Sequence, residues 1–366
     1  MSQELHWAAR AGSTGAGLLD DVRRFISRFC VFPDKRCLDA VSLWAAHTHL
    51  IEHLHTTPRL ALLSPEAGSG KTRVLEILNL LSANSMFSLN ASPAAIFRSL
   101  NLGQITLLFD EVDAIWTGRG SDDRHEDLRA LLNAGYKRGA MIPRCVGPSH
   151  EVTRFPVYAP VALAGLGSLP ETIMSRSVII GMRRRAPTEF VEPFRSRSHE
   201  PEGFEIRDRL ADWADAVGAT TGESIPSMPT GIVDRPAEVW EPLIALADAA
   251  GGHWPRTARK ACRHLCHTAA SRHQSLGIRL LSDLKIAFGD AKVLHTREIL
   301  NRLCGGGELE ADAPWRDLRG KQLNAYDLAR HLRSYGVTST KLRIEGQVLQ
   351  GRCCRRSLAK DREKSV

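Results

Sequence analysis

Hydrophobic residues follow two rhythms along this chain. Between residues 59 and 182 they gather in short unbroken runs, RLALLS, ITLLF, VALAG and SVII, separated by stretches with helical spacing. A run that is apolar on both faces reads as a strand buried inside a parallel sheet, and the helical stretches between such runs are the crossovers. The spacing predicts a strand at 59–64, a helix at 71–82, a strand at 85–91, a helix at 93–100 and a strand at 105–110. It continues with a helix at 124–138, a β-type stretch at 141–158, a strand at 161–165, a short helix at 170–175 and a strand at 177–182.

Outside that region the period is mostly helical. A polar, glycine-rich start over 1–17 reads as frayed, and helices follow at 18–29 and 35–55, the second amphipathic through Leu43, Trp44 and Leu50. The proline- and charge-rich stretch 186–203 reads as a linker before three helices at 204–217, 236–250 and 255–274. The last part predicts helices at 280–287 and 297–303, a third opening at Asn324 and closing at Gly336, and two short strands, KLRIEG and QVLQGRC.

The chemistry concentrates where the first strand ends. In RLALLSPEAGSGKT, Gly68, Ser69 and Gly70 can turn backbone N–H groups toward a di- or triphosphate, Lys71 can reach its outer oxygens, and the Thr72 hydroxyl suits Mg²⁺. Pro65 stands where the usual phosphate-loop spacing has its first glycine. The strand ending ITLLF delivers Asp110 and Glu111, the first suited to the Mg²⁺ shell and the second to orienting an attacking water. These residues point to a Mg²⁺-dependent ATPase; ATP and Mg²⁺ are the expected cofactors.

Charge and cysteine content change the picture less. A net charge of +8 and a pI near 9.2 suit a polyanionic partner, and eight cysteines without a repeating framework fit reduced thiols. No apolar run approaches membrane-spanning length and the first residues lack a signal-peptide layout, so a cytoplasmic protein without a membrane partner is expected. Two metal-like patterns have plainer readings: Cys262 and Cys266, near His264 and His267, read as small buried residues of a helix. His49, Glu52 and His53 match the H-x-x-E-H pattern of some zinc peptidases but read as a solvated helix face.

Taken in order, PEAGSGKT, LLFDEVD, VALAGLG and ETIMSRS resemble the core of an AAA+ ATPase. More narrowly, HTHLIEHLHTTPRLALLSPEAGSGKT, LLNAGYKRGA and LPETIMSRSVIIGMRRR look like an uncharacterised family of phage and prophage P-loop ATPases, common in actinobacterial genomes and elsewhere fused behind primase modules. The resemblance implies an α/β fold: a parallel-sheet AAA+ P-loop core at 58–186, an N-terminal helical cap at 1–57, a linker and helical lid at 187–276, and a basic winged-helix-like domain with a tail at 277–366. It further implies that Arg176 serves a neighbouring subunit's active site, that Arg256 reaches the phosphates from the lid, and that a polar residue senses the γ-phosphate, for which Ser168 sits late. Arg183, Arg184 and Arg185 read as the solvated end of a strand.

A hairpin at 141–158 resembles the one that superfamily 3 helicases point into a central pore, where Arg144, His150 and Arg154 would follow a nucleic-acid backbone; a plain sheet extension at a subunit contact is the alternative. In the last domain Lys341, Arg343 and Arg352 are candidates for phosphate contacts, against a basic solvated tail on a protein–protein module. The resulting expectation is a hexameric ring that moves single-stranded or forked DNA in phage or prophage replication. The alternatives are a helicase loader or remodelling ATPase acting on other replication proteins, and a nucleotide-binding transcription regulator.

Overall fold

A computed structural model describes residues 14–88, 92–113, 123–146, 151–272, 276–291, 293–305, 313–318, 321–333, 335–337, 340–344 and 347–353. The chain divides into two compact units, Met1–Ala269 and Ala270–Val366.

In the first unit, helices α1 (Gly15–Phe29) and α2 (Lys35–His47) precede a five-stranded parallel sheet. Its strands are β1 (Arg59–Ser64), β2 (Ser85–Ser88), β3 (Thr106–Phe109), β6 (Val161–Leu166) and β7 (Ser177–Gly181), in the order β2-β3-β6-β1-β7. The crossovers are α3 (Lys71–Leu81), α4 (Pro93–Leu102), α5 (Asp123–Ala134) and the single turn α6 (Glu171–Met174). Local chemistry sets several helix starts. Asp34 accepts the Arg36 N–H at 2.7 Å ahead of α2, and Ser92 with Pro93 opens α4.

Strand alternation divides the sheet's side chains between two cores. Leu60, Leu62, Leu108, Ala162, Ala164, Val178 and Ile180 face one cluster, while Ala61, Leu63, Leu107, Phe109, Val161 and Leu163 face the other. Each fully buried leucine contributes roughly 1.5–3 kcal/mol. The second face carries α4, α5 and α6. The first carries α1, α2 and α3 together with three later helices, α7 (Ser196–Glu223), α8 (Asp234–Ala250) and α9 (Trp254–Arg272), in one continuous core. The expected cap and lid are therefore one helical layer.

Three sequence expectations change here. The helix expected over 35–55 ends at His47 and continues only as a 3₁₀ turn through Leu50. The expected linker at 186–203 is ordered: Glu192 N–H donates to Arg28 O at 2.7 Å, the Arg28 guanidinium binds Glu192 and Glu202, and Phe194 meets Phe29 edge-on at 5.1 Å. Helix α7 starts inside that stretch and runs through Pro201, which forfeits one backbone bond. The hairpin of β4 (Met141–Val146) and β5 (Glu151–Pro156) forms its own two-stranded sheet and does not extend the five-stranded one. It packs on α4 through Phe155 and Phe97, with ring centroids 5.9 Å apart.

The second unit holds α10 (Leu276–Phe288), β8 (Val293–His295), α11 (Thr296–Gly305), α12 (Ala325–Arg333), β9 (Thr340–Ile344) and β10 (Gln347–Cys353). Its antiparallel sheet has the order β8-β10-β9, and its core centres on Trp315, whose indole N–H donates to Asp283 at 2.6 Å. The pattern of apolar residues missed β8, which is only three residues long. Among the described residues, no helix is long and apolar enough to cross a membrane.

Candidate functional site

The chain leaves β1 toward β2 at one edge and later returns to place β7 on the other side of β1. Strand order reverses at β1, and in open α/β sheets the carboxyl ends at such a point are where ligands bind. The loop beyond Ser64 is built for close approach. Gly68 and Gly70 have φ of +73° and +83°, which only glycine adopts without cost, and a Cβ on Gly70 would meet nothing within 4 Å. Gly70 opens α3 with no side-chain cap, so the first-turn N–H groups of α3 remain directed out of its end.

Two side chains on that first turn face opposite tasks. Lys71 is buried, and its ammonium donates to the hydroxyls of Ser64 and Ser69. Burial lowers its pKa, while Asp110 and Asp113 pull the other way. Thr72 donates its hydroxyl proton to Asp110 Oδ2 at 2.6 Å. Because β6 lies between β1 and β3, this contact crosses the end of a whole strand to join segments 38 residues apart.

The turn after β3 is fixed in three ways. Glu111 has φ of +54°, a left-handed conformation that costs a non-glycine residue about 1–2 kcal/mol. Its own N–H donates to Asp110 Oδ1 at 2.9 Å, and its side chain is exposed. Next, Val112 N–H donates to Ala164 O at 3.0 Å, and Leu166 N–H donates to Asp113 Oδ1 at 3.0 Å, which fastens the turn to β6. Gly165 permits that closure, since a Cβ there would meet Val112 at 3.0 Å and the Asp113 carboxylate at 3.1 Å. Asp113 thus holds the acidic turn in place, a role its position in DEVD did not reveal.

Sequence reasoning also missed the arginines after β7. Parallel pairing puts Gly181 beside Leu63, so the residues that follow come level with the glycine loop. Arg184 Nε donates to Ala67 O at 2.9 Å and pairs with Glu66 at 3.0 Å. Its neighbours Arg183 and Arg185 line a cavity of about 310 Å³ against Gly68, Ser69 and Gly70, whose apolar wall is Phe29, Val31, Met182 and Val191. As read from the sequence, all three are exposed just past the end of β7; their place beside the glycine loop is what the structure adds. The run RRR was the available signal, but only the strand order shows that it reaches the loop.

Other sequence candidates lie elsewhere. Arg176 precedes β7 at the amino end of the sheet, where Ser177 pairs with Arg59; a strand of that length places it on the order of 20 Å from the loop of its own chain. Its guanidinium lies 4.8 Å from the Tyr136 ring centroid and donates to Thr172 O. Arg256 is exposed near the start of α9, where the Trp254 indole N–H donates to Ala16 O at 3.2 Å. Ala16 and the pocket-lining Phe29 lie at opposite ends of α1, again on the order of 20 Å apart, so Arg256 is not at the loop. Ser168 is exposed just beyond β6.

Arg144 stacks on Phe97 at 4.9 Å and pairs with Asp127, so it faces inward; Arg154 is exposed opposite Pro143. His150 lies outside the described residues. Lys341 and Arg343 lie on β9 and Arg352 on β10, the two strands of the second unit's hairpin.

The metal-like patterns resolve structurally. Cys262 is buried in the core, while His264 and His267 line a cavity on the other side of α9. Among the described residues no group of His, Cys, Asp and Glu is placed to hold a metal ion. The expected solvated face at H-x-x-E-H holds for the exposed Glu52 and is corrected at His49, whose Nε2–H donates to Leu81 O at 2.8 Å and which is largely buried; His47 nearby is fully buried between Trp44 O and Thr57. Burial holds both imidazoles near pKa 4. Since the unfolded chain protonates them near 6.5, it binds more protons between those values, and stability must fall as pH drops through that window. For His47 the loss between pH 7 and pH 5 should be roughly 2 kcal/mol. Denaturant unfolding of His47→Gln at both pH values should show a smaller decline than the parent; equal declines would exclude the histidine as the cause.

A family described as "Protein of unknown function (DUF3631)" matches residues 181–359, a span that begins at the end of β7 and leaves out the glycine loop and the acidic turn. A Saccharopolyspora erythraea protein described as "Uncharacterized 28.9 kDa protein in xis 5'region" is 40% identical over 164 residues, which is 44% of this chain. The chain spans 60% of that relative's length. Two solved structures of the NrS-1 C-terminal region in its A-form apo state resemble the fold with TM-scores of 0.43 and 0.41 at 11% and 10% identity. They cover 92% and 91% of this chain, and 75% and 74% of theirs.

Proposed function

We propose that the first unit is a Mg²⁺-dependent ATPase of the AAA+ P-loop kind, working on DNA in phage or prophage replication. The observation that carries the nucleotide reading is the 2.6 Å contact of Thr72 with Asp110, which joins the end of the glycine loop to the acidic turn. The donor set suits the ligand: open glycine backbone, a lysine ammonium, a hydroxyl and a carboxylate converge where helix N–H groups point.

In this reading Gly68, Ser69 and Gly70 hold phosphate oxygens through their N–H groups, and Lys71 exchanges its serine partners for a phosphate oxygen. Thr72 and Asp110 would hold Mg²⁺, which when bound neutralises phosphate charge and polarises the bond to be broken. Glu111 takes the proton of the attacking water, and the strained turn keeps its carboxylate outside the Asp110 contact. Arg184 and Arg185 add positive charge on the loop's other side, and the Phe29–Val191 wall suits a flat apolar base. The order of the five strands, with the loop on the strand at the reversal point, supports the same reading. Helix-and-hairpin construction in the second unit suits a winged-helix module.

The DNA-moving role rests on the sequence resemblance and on net charge. Its test is turnover by the purified chain with and without single-stranded DNA, alongside strand displacement on a forked substrate. DNA-stimulated hydrolysis with displacement is expected; hydrolysis with neither effect would favour a loader. Lys71→Ala should weaken binding of a fluorescent ATP analogue by roughly 10–100-fold, the worth of a charge-assisted hydrogen bond. Unchanged affinity would remove the loop from the proposal.

A further inference from the structure

Away from the glycine loop, α1, α2 and α9 enclose an open cavity of about 880 Å³ with an uneven charge. Its two carboxylates are already engaged: Asp39 binds Arg23 at 2.6 Å, and Asp20 binds His253 at 2.9 Å. Lys35, Lys260 and Arg263 are exposed in its lining, and no acidic side chain of the cavity remains to balance them. A cleft lined by one sign of charge concentrates its field and attracts counter-ions of the opposite sign.

The cations are also arranged in a row. Lys260 and Arg263 recur at i and i+3 on one face of α9, and exposed Arg256 continues the stripe one turn earlier. From 256 to 263 the row extends about 10 Å. Inside the same helix Arg259 points elsewhere, bound to Asp248 at 2.6 Å. A single phosphate ion would engage one turn of such a row. A nucleic-acid strand, which carries one phosphate per nucleotide along its backbone, would engage all of it.

We infer that this groove binds the phosphodiester backbone of a single-stranded nucleic acid, and that Lys35, Lys260 and Arg263 supply its contacts. Arg256, expected from the sequence to serve the nucleotide, belongs to this row instead. The inference rests on the nucleic-acid part of the reading above and is independent of hydrolysis. The backbone lies along α9, and the bases remain outward, so little sequence preference is expected.

The test uses the full chain and a fluorescein-labelled oligothymidylate, with anisotropy followed across a salt series. Lys35→Ser, Lys260→Ser and Arg263→Ser combined should weaken binding at least 10-fold and lower the salt slope by about 2, at roughly 0.7 per contact. A control that removes equal charge from exposed positions outside the groove, Arg24→Ser, Arg98→Ser and Arg197→Ser, should change the slope little. Equal effects of the two triple variants, or no effect of the first, would overturn the inference. Competition separates the other anions. Displacement of the oligonucleotide by low-millimolar inorganic phosphate would mark a small-anion pocket, and displacement by polyglutamate at equal charge would mark a site for acidic polypeptide; either result overturns it. DNA-independent ATP turnover, measured on the same variants, should be unchanged, so failure of the groove and failure of the nucleotide reading give different results.

Discussion

Glu111→Gln should retain ATP and lose turnover by 10²–10⁴-fold, the usual worth of a positioned general base, or about 3–5 kcal/mol of barrier. The substitution is close to isosteric, and glutamine has no more difficulty than glutamate at φ of +54°, so the backbone strain is common to both proteins. The fastening of the turn to β6 through Val112 and Asp113 is likewise untouched. What changes is the ability to accept a proton. Equilibrium binding of a fluorescent ATP analogue should shift less than 3-fold, while single-turnover hydrolysis collapses. Normal hydrolysis would leave Glu111 as an exposed residue of a tight turn and pass the role to Asp110 or to water alone.

Arg176→Ala should cost 10³–10⁵ in turnover, the range for an arginine supplied to a phosphoryl-transfer site by a neighbour. The position excludes help to its own loop, because the side chain sits at the opposite end of the sheet. It is also packed on Tyr136, whose ring lies within 5.2 Å of Arg235 as well, so the substitution forfeits a cation–π contact of about 0.5–2 kcal/mol. That loss predicts a modest drop in melting temperature, separable from the rate effect. Mixing Arg176→Ala with Lys71→Ala chains settles the matter, since each supplies what the other lacks and shared interfaces should regain activity. No recovery at any ratio would return Arg176 to a purely packing role.

How much of this was legible depends on how local each feature is. The glycine loop, Lys71, Thr72 and the Asp110–Glu111 pair announce themselves through contiguous residues, and the buried strands do so through unbroken apolar runs. Strand neighbours are not written locally. That β7 lies against β1, bringing the exposed Arg184 to Ala67, follows from tertiary packing and gives the solvated RRR end a neighbour that its own residues do not announce. The same holds for Arg256, whose position near a helix start suggested the phosphates until the Trp254–Ala16 contact placed that start at the far end of α1. Residues 186–203 carry prolines and charges like a tether, yet Arg28 and Phe29 dock them, and no local pattern encodes a partner that distant in sequence.

The helices before β1 and those after β7 interdigitate over the same side of the sheet, around Leu60, Leu62, Val178 and Ile180. Neither group can be cut away without baring that apolar underside to water. The loop's cavity takes Phe29 from the earlier group and Val191 from the approach to the later one, so a molecule held there would grip two distant lengths of chain at once.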